Sequence, residues 1–129
     1  MRLTERQYRE LTDRAGDLPA ARRKYGNTSA AVAGRKFHSV GEAALFAALV
    51  ILQRAGTVLY FLCQVPFHLP GGVIYRVDFM VVYNDRVRYL DFKGYETAGF
   101  KVKKRLVEAT YPVTIELVRR ERGRFIGLM

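Results

Sequence analysis

Residues 73–93 constrain this chain more than any other stretch. The runs VIYRVDFMVVY and RVRYLDFK meet at Asn84-Asp85, a pair suited to a two-residue hairpin loop because both residues tolerate positive φ. With that loop, Tyr83 pairs with Arg86, and counting back sets Asp78 opposite Asp91. Opposed side chains in an antiparallel pair have Cβ atoms roughly 4.5–5.5 Å apart, where like charges repel. Lys93 falls on the same face as Asp91, because side chains alternate along a strand. Two facing carboxylates need a compensating cation, and a divalent metal is the simplest. Carboxylates beside a lysine suit metal-assisted hydrolysis of a phosphodiester. The competing account is structural: Arg76, opposite Lys93 in this register, neutralises one aspartate.

The chain has 129 residues, half of them hydrophobic, enough for one domain with a core that needs no disulfide staples. It carries 22 Lys and Arg against 12 Asp and Glu, a formal charge of +10. That excess favours a polyanionic partner, nucleic acid or an anionic membrane surface, and for charge alone solubility or adaptation to heat is a nearly equal reading. The basic groups flank the acidic pair: residues 1–36 hold nine basic and four acidic groups, 94–129 eight and four, and the middle five and four. Cys63, alone in an apolar strand, reads as an inert core residue in a reducing compartment. His38 and His68 fit no zinc-ligand spacing. The charged start MRLTERQYRE is unlike a signal peptide, and no apolar run approaches membrane-spanning length. The expectation is a cytoplasmic protein without membrane association.

Thr4 and Gln7 form a capping box, with Leu3 and Tyr8 as a hydrophobic staple, which predicts a helix over 4–15 closed by Gly16. Residues 17–36 lack a period and predict an irregular basic arm. A helix from Ser39 to Ala55, closed by Gly56, has Glu42 as its one charge between Val40 and Leu52 and is expected to be buried. The strand TVLYFLCQVPFHL follows, with Pro66 marking its end or a bulge. After the hairpin come a basic helix over 98–109 and a last strand, VTIELV. Residues 120–129 read as a tail, a further strand or a loose end. The order from residue 39 predicts a mixed sheet covered by helices, an α/β fold. Its expected core is Leu45, Leu49, Leu52, Leu59, Phe61, Val77, Phe79, Leu90, Phe92, Leu106 and Ile115.

The αβββαβ order, with Glu42 in the first core helix, Asp78 in the second strand and Asp91-x-Lys93 in the third, resembles the PD-(D/E)XK nuclease superfamily. Within it, KYGN (24–27), Phe37-x-Ser39-x-x-Glu42-Ala43, Gln64-Val65-Pro66-Phe67 and Asp91-Phe92-Lys93-Gly94 are similar to small phage-borne endonucleases of Holliday-junction-resolvase type. The chain departs from the name at Val77, where a proline is usual, and at position 91, where aspartate makes a ligand one methylene shorter than glutamate. The resemblance implies a restriction-endonuclease-like core with an extra N-terminal helix, divided into 1–36 (helix and basic arm), 37–119 (catalytic core) and 120–129. It implies that Asp78, Asp91 and the main-chain carbonyl of Phe92 hold Mg²⁺, or Mn²⁺ in its place, with Glu42 as a further ligand. Lys93 then orients or deprotonates the attacking water and stabilises charge on the phosphate.

Glu42 alone also reads as the acceptor side of a capping box on Ser39. Gln64 reads equally as support for the metal ligands or as a group satisfying the strand end. Lys101, Lys104 and Arg105 on the basic helix over 98–109, and Arg22, Arg23, Lys24, Arg35 and Lys36 in the arm, are candidates to hold DNA phosphates without reading bases. Together these lines predict a metal-dependent endonuclease for branched DNA, working in the host cytoplasm if phage-encoded. Two near-symmetric cuts at a four-way junction imply a homodimer. The alternatives are a flap or single-strand nuclease, and a non-catalytic nucleic-acid-binding module or recombination-complex subunit.

Overall fold

The computed structural model describes residues 4–7, 9–10, 30–32, 35–37, 39–93 and 95–128. The hairpin that anchors the sequence reading is present in the expected register. Tyr83 N–H donates to the Arg86 carbonyl at 2.8 Å, so Asn84-Asp85 is the loop. Strands β4 (Ile74–Val82) and β5 (Val87–Phe92) pair from Val82–Val87 to Phe79–Leu90.

Around this hairpin the chain builds a five-stranded mixed sheet in the order β3-β4-β5-β6-β7. β3 (Tyr60–His68) is antiparallel to β4, and β6 (Ile115–Glu121) is parallel to β5. The parallel step requires a crossover, which helix α2 (Ala98–Thr110) supplies. Helix α1 (Val40–Arg54) precedes β3, so the expected order of helix, three strands, helix and strand is the order found.

The two faces of the sheet carry two cores. On one, Leu45, Leu49 and Leu52 of α1 meet Phe79, Val81, Leu90 and Val118. Rings continue the contact outward, with Phe37, Phe46, Phe61 and Phe79 successively 4.9, 5.4 and 6.2 Å apart. On the other, Phe100 and Val107 of α2 meet Phe67, Tyr75, Val77 and Ile115. α1 is buried along nearly its whole length, from Glu42 to Leu49 and again at Leu52, as its nearly uniform apolar composition requires.

β3 and β4 serve both cores. Phe61, Cys63, Phe79 and Val81 pack on the α1 side, whereas Val65, Phe67, Tyr75 and Val77 pack on the α2 side. All eight are odd-numbered, so alternation alone would put them on one face. The change of face falls between the pairs Cys63–Phe79 and Val65–Val77, where no ladder pair joins Gln64 to Asp78. Gln64 there has φ 54°, a left-handed conformation that costs a non-glycine residue on the order of 1–3 kcal/mol.

Several expectations need correction. Pro66 neither ends β3 nor forms a bulge; it pairs with Arg76, and the strand runs to His68. β3 is an edge strand, where the missing N–H can face outward. Leu59 and Leu106 are 49% and 41% exposed rather than core. Val58 takes the inward place before β3, and the buried face of α2 runs through Phe100 and Val107. Residues 120–128 are no loose tail. β6 continues to Glu121, turns through Arg122 and Gly123 at φ 50° and 78°, and returns as β7 (Arg124–Ile126), the signs a tight hairpin turn demands.

The arm is not irregular throughout either. β1 (Ala30–Val32) and β2 (Arg35–Phe37) form an antiparallel pair within the stretch expected to be irregular. The capping box at the N-terminus is present: Gln7 N–H donates to Thr4 Oγ1 at 3.2 Å, and Thr4 N–H to Gln7 Oε1 at 2.9 Å. Residues 5–7 and 9–10 are helical; the Leu3–Tyr8 staple and the Gly16 stop lie outside the described residues. Among the described residues, no helix is long and apolar enough to cross a membrane.

Candidate active site

The site forms where the β3–β4 ladder is interrupted and the β4–β5 ladder ends. One residue beyond the Phe79–Leu90 pair, side chains replace backbone pairing. Asp78 N–H donates to Asp91 Oδ1 and Phe92 N–H donates to Asp78 Oδ2, both at 2.9 Å. The interruption frees backbone donors, and the two carboxylates take them. Asp78 and Asp91 are thus held together by amides, not by Arg76, which is exposed and forms no ion pair with either.

α1 brings the third carboxylate. Ser39 Oγ accepts the Glu42 N–H at 3.0 Å and starts the helix. Gly41 lets the first turn lie against the Phe92 ring, where any Cβ would collide. Glu42 is consequently buried beside the sheet at 5% exposure. Gln64 Nε2 donates to Glu42 Oε1 at 3.0 Å and to Asp78 Oδ1 at 3.2 Å. The Glu42 N–H thus serves the helix start while its carboxylate accepts from Gln64. Gln64 joins two acidic side chains.

Asp91 is the most buried of the group, at 1% exposure, and its Oδ2 has no hydrogen-bond partner among the described residues. Burial pushes its carboxyl above the ordinary carboxylate range, against the amide bond from Asp78 and the positive charge of Lys93. That opposing effect agrees with Lys93 sharing a face with Asp91. Lys93 itself is half-buried, with Nζ 4.7 Å from the Phe100 ring centroid, a cation–π contact. Among these contacts Phe92 contributes its N–H.

Burial of the Asp91 carboxyl ties stability to pH. The folded chain keeps this proton at pH values where the unfolded chain has lost it, so its contribution to stability falls as pH rises above about 4. With chelator present, Asp91→Asn should gain stability relative to the parent as pH rises above about 4, since a neutral amide cannot ionise. Thermal unfolding against pH measures this; a difference that stays flat across the range would contradict it.

The phosphate-binding candidates are placed unevenly. Lys101 and Arg105 are exposed on α2, whereas Lys104 is half-buried and paired with Glu108 at 3.7 Å. Lys101 lines a cavity of about 440 Å³ with Lys93, Tyr95, Glu96 and Arg119. Arg119 escaped the sequence reading. Its place follows from the parallel pair Asp91–Leu117, two residues on, and a parallel register cannot be counted through a crossover as a hairpin can. Arg35 and Lys36 lie in β2; Arg22, Arg23 and Lys24 lie outside the described residues.

Among the described residues, no three His, Cys, Asp or Glu side chains gather as a metal-ligand group. The carboxylates are spaced instead by the Gln64 amide and the backbone donors. The donor chemistry still fits a hard divalent ion: three carboxylates, one with a buried oxygen lacking any partner. Compared with protein-family models, curated proteins and solved structures, the chain matches none.

Proposed function

We propose that this chain is a divalent-metal-dependent DNA endonuclease with a restriction-endonuclease-like core, acting on branched DNA. One observation carries the reading: Asp78 and Asp91 interlock at the broken end of a hairpin, with Lys93 beside them and Asp91 Oδ2 buried without a partner. A purely structural pair would leave that oxygen a standing cost, since a buried unpartnered acceptor destabilises by about 1–3 kcal/mol. The order α1-β3-β4-β5-α2-β6 is consistent with the nuclease core that the motifs resemble.

In this reading Asp78, Asp91 and Glu42 hold Mg²⁺ or Mn²⁺. When bound, the ion supplies Lewis acidity and charge neutralisation at the phosphate. Lys93, seated against Phe100, stabilises the negative charge that grows on the phosphate oxygens and orients the attacking water. Lys101, Arg105 and Arg119 hold the flanking backbone through charge, without reading sequence. Resolving a four-way junction takes two such sites, hence a homodimer.

The test is incubation with labelled four-way junction, flap, single-stranded and linear duplex DNA, with Mg²⁺ and with chelator. Metal-dependent cutting of the junction in preference to the linear duplex is expected. Preferred cutting of flaps or single strands would keep the chemistry and change the substrate; binding without cutting would make the chain a nucleic-acid-binding module.

Removing charge at Lys101, Lys104 and Arg105 together should weaken binding to all DNA sequences alike. Each lost phosphate contact lowers the slope of log affinity against log salt by about 0.9 on duplex DNA. Lys104 should contribute least, because Glu108 already neutralises it in part. Cutting at saturating protein should be largely restored. Affinity and salt slope equal to the parent's would show that this face of α2 does not meet DNA.

A further inference from the structure

We infer that Gln64 is a built-in stand-in for the cation, an amide that holds Glu42 and Asp78 in position and must yield when a divalent ion binds. The inference rests on the metal reading above and adds a residue that sets the site's affinity.

Gln64 is the place where β3 changes face, with φ 54° and no ladder pair to Asp78. Glycine would meet that backbone requirement without steric cost. What glutamine adds is its side chain, whose Nε2 donates to Glu42 Oε1 at 3.0 Å and Asp78 Oδ1 at 3.2 Å. Ionised carboxylates only accept, so the amide must present its nitrogen to them, and its two N–H groups suffice for the two bonds.

A donor shared by two carboxylates lies where positive charge is most favoured, the same place a hard cation would seek. Asp91 Oδ2, buried and unpartnered, is the one acceptor of the interlocked pair that these protein donors leave unserved. The amide and the ion therefore compete for Glu42 and Asp78. The metal-free site stays assembled because of Gln64, at the cost of weaker ion binding.

The test is calorimetric titration with Mn²⁺ of the parent, Gln64→Met and Gln64→Glu, together with thermal unfolding in chelator. Methionine keeps the length and removes the donor. Its metal-free melting temperature should fall, while Mn²⁺ should bind about tenfold more tightly, as expected when one or two charge-assisted hydrogen bonds no longer have to break. Gln64→Glu keeps the shape and adds a ligand, so it should bind tighter still and melt lower without metal.

Unchanged affinity in a variant that melts lower would show that Gln64 only supports the fold. Weaker binding in Gln64→Met would make it a ligand or an aligning group, and either result overturns the inference while sparing the metal reading. No Mn²⁺ binding to the parent overturns both. Should Gln64→Met not fold, Gln64→Glu decides alone, with affinity equal to the parent's counting against the inference.

Discussion

Lys93→Ala should cut DNA about 10²–10³-fold more slowly than the parent, the usual cost of losing a preorganised donor at a developing negative charge. Affinity for DNA should hardly change. Lys93 is one of 22 basic residues, and phosphate attraction is the sum of many such charges. The split between rate and affinity separates chemistry from electrostatic attraction. Lys93→Arg should recover little, because the contact with Phe100 holds a compact ammonium at one place and a guanidinium is larger and planar. Single-turnover cleavage at saturating protein measures the step. A parent-like rate in Lys93→Ala would make Lys93 a structural neighbour of Phe100 and nothing more.

Arg88→Ala should cause the largest loss of stability, about 3–5 kcal/mol, the range for breaking a buried ion pair by removing one partner. Arg88 is 6% exposed and grips Glu116 with two bonds, Nε–Oε2 at 2.9 Å and Nη2–Oε1 at 3.0 Å. The same guanidinium donates to the carbonyls of Gly127 and Leu128. Burial disfavours its charge, but the bonds to Glu116 and the charges around it outweigh this and raise its pKa. Its removal takes a donor from both carbonyls and loosens the segment after β7, whose Leu128 is buried in the core on the α1 side. Glu116→Gln should cost less, because Glu116 is 39% exposed and water can replace part of the bond. Thermal and denaturant unfolding give the comparison. Equal losses in the two variants would show that the carbonyl contacts contribute nothing.

How much could be read in advance varies with the range of the interaction. The hairpin register was legible because a two-residue loop fixes every pair by counting, and that count brought Asp78 to Asp91. Ser39 and Glu42 were legible as a helix start for the same local reason. Arg88 was not. It shares parity with Leu90 and Phe92 and so faces the α1-side core, but its partners Glu116, Gly127 and Leu128 come from strands whose pairing no short-range signal announces. The C-terminal hairpin turns on Arg122-Gly123, a weaker signal than Asn-Gly or Asp-Gly. Gln64 was legible only as a candidate. The face change that gives it positive φ arises because one strand must serve two cores, a demand of the assembled sheet and not of the local sequence. The same change of face explains why the two aspartates accept from backbone amides of the chain.

The central claim is that the Asp78–Asp91 pair carries metal-dependent hydrolysis. Cleavage of labelled four-way junction DNA by the parent and by Asp91→Asn, at equal bound fraction, tests it most directly. The parent should cut in Mg²⁺ and stop when chelator is added, while Asp91→Asn binds the junction and leaves it whole. Cutting by Asp91→Asn at the parent's rate, or cutting by the parent that chelator does not affect, would contradict the account.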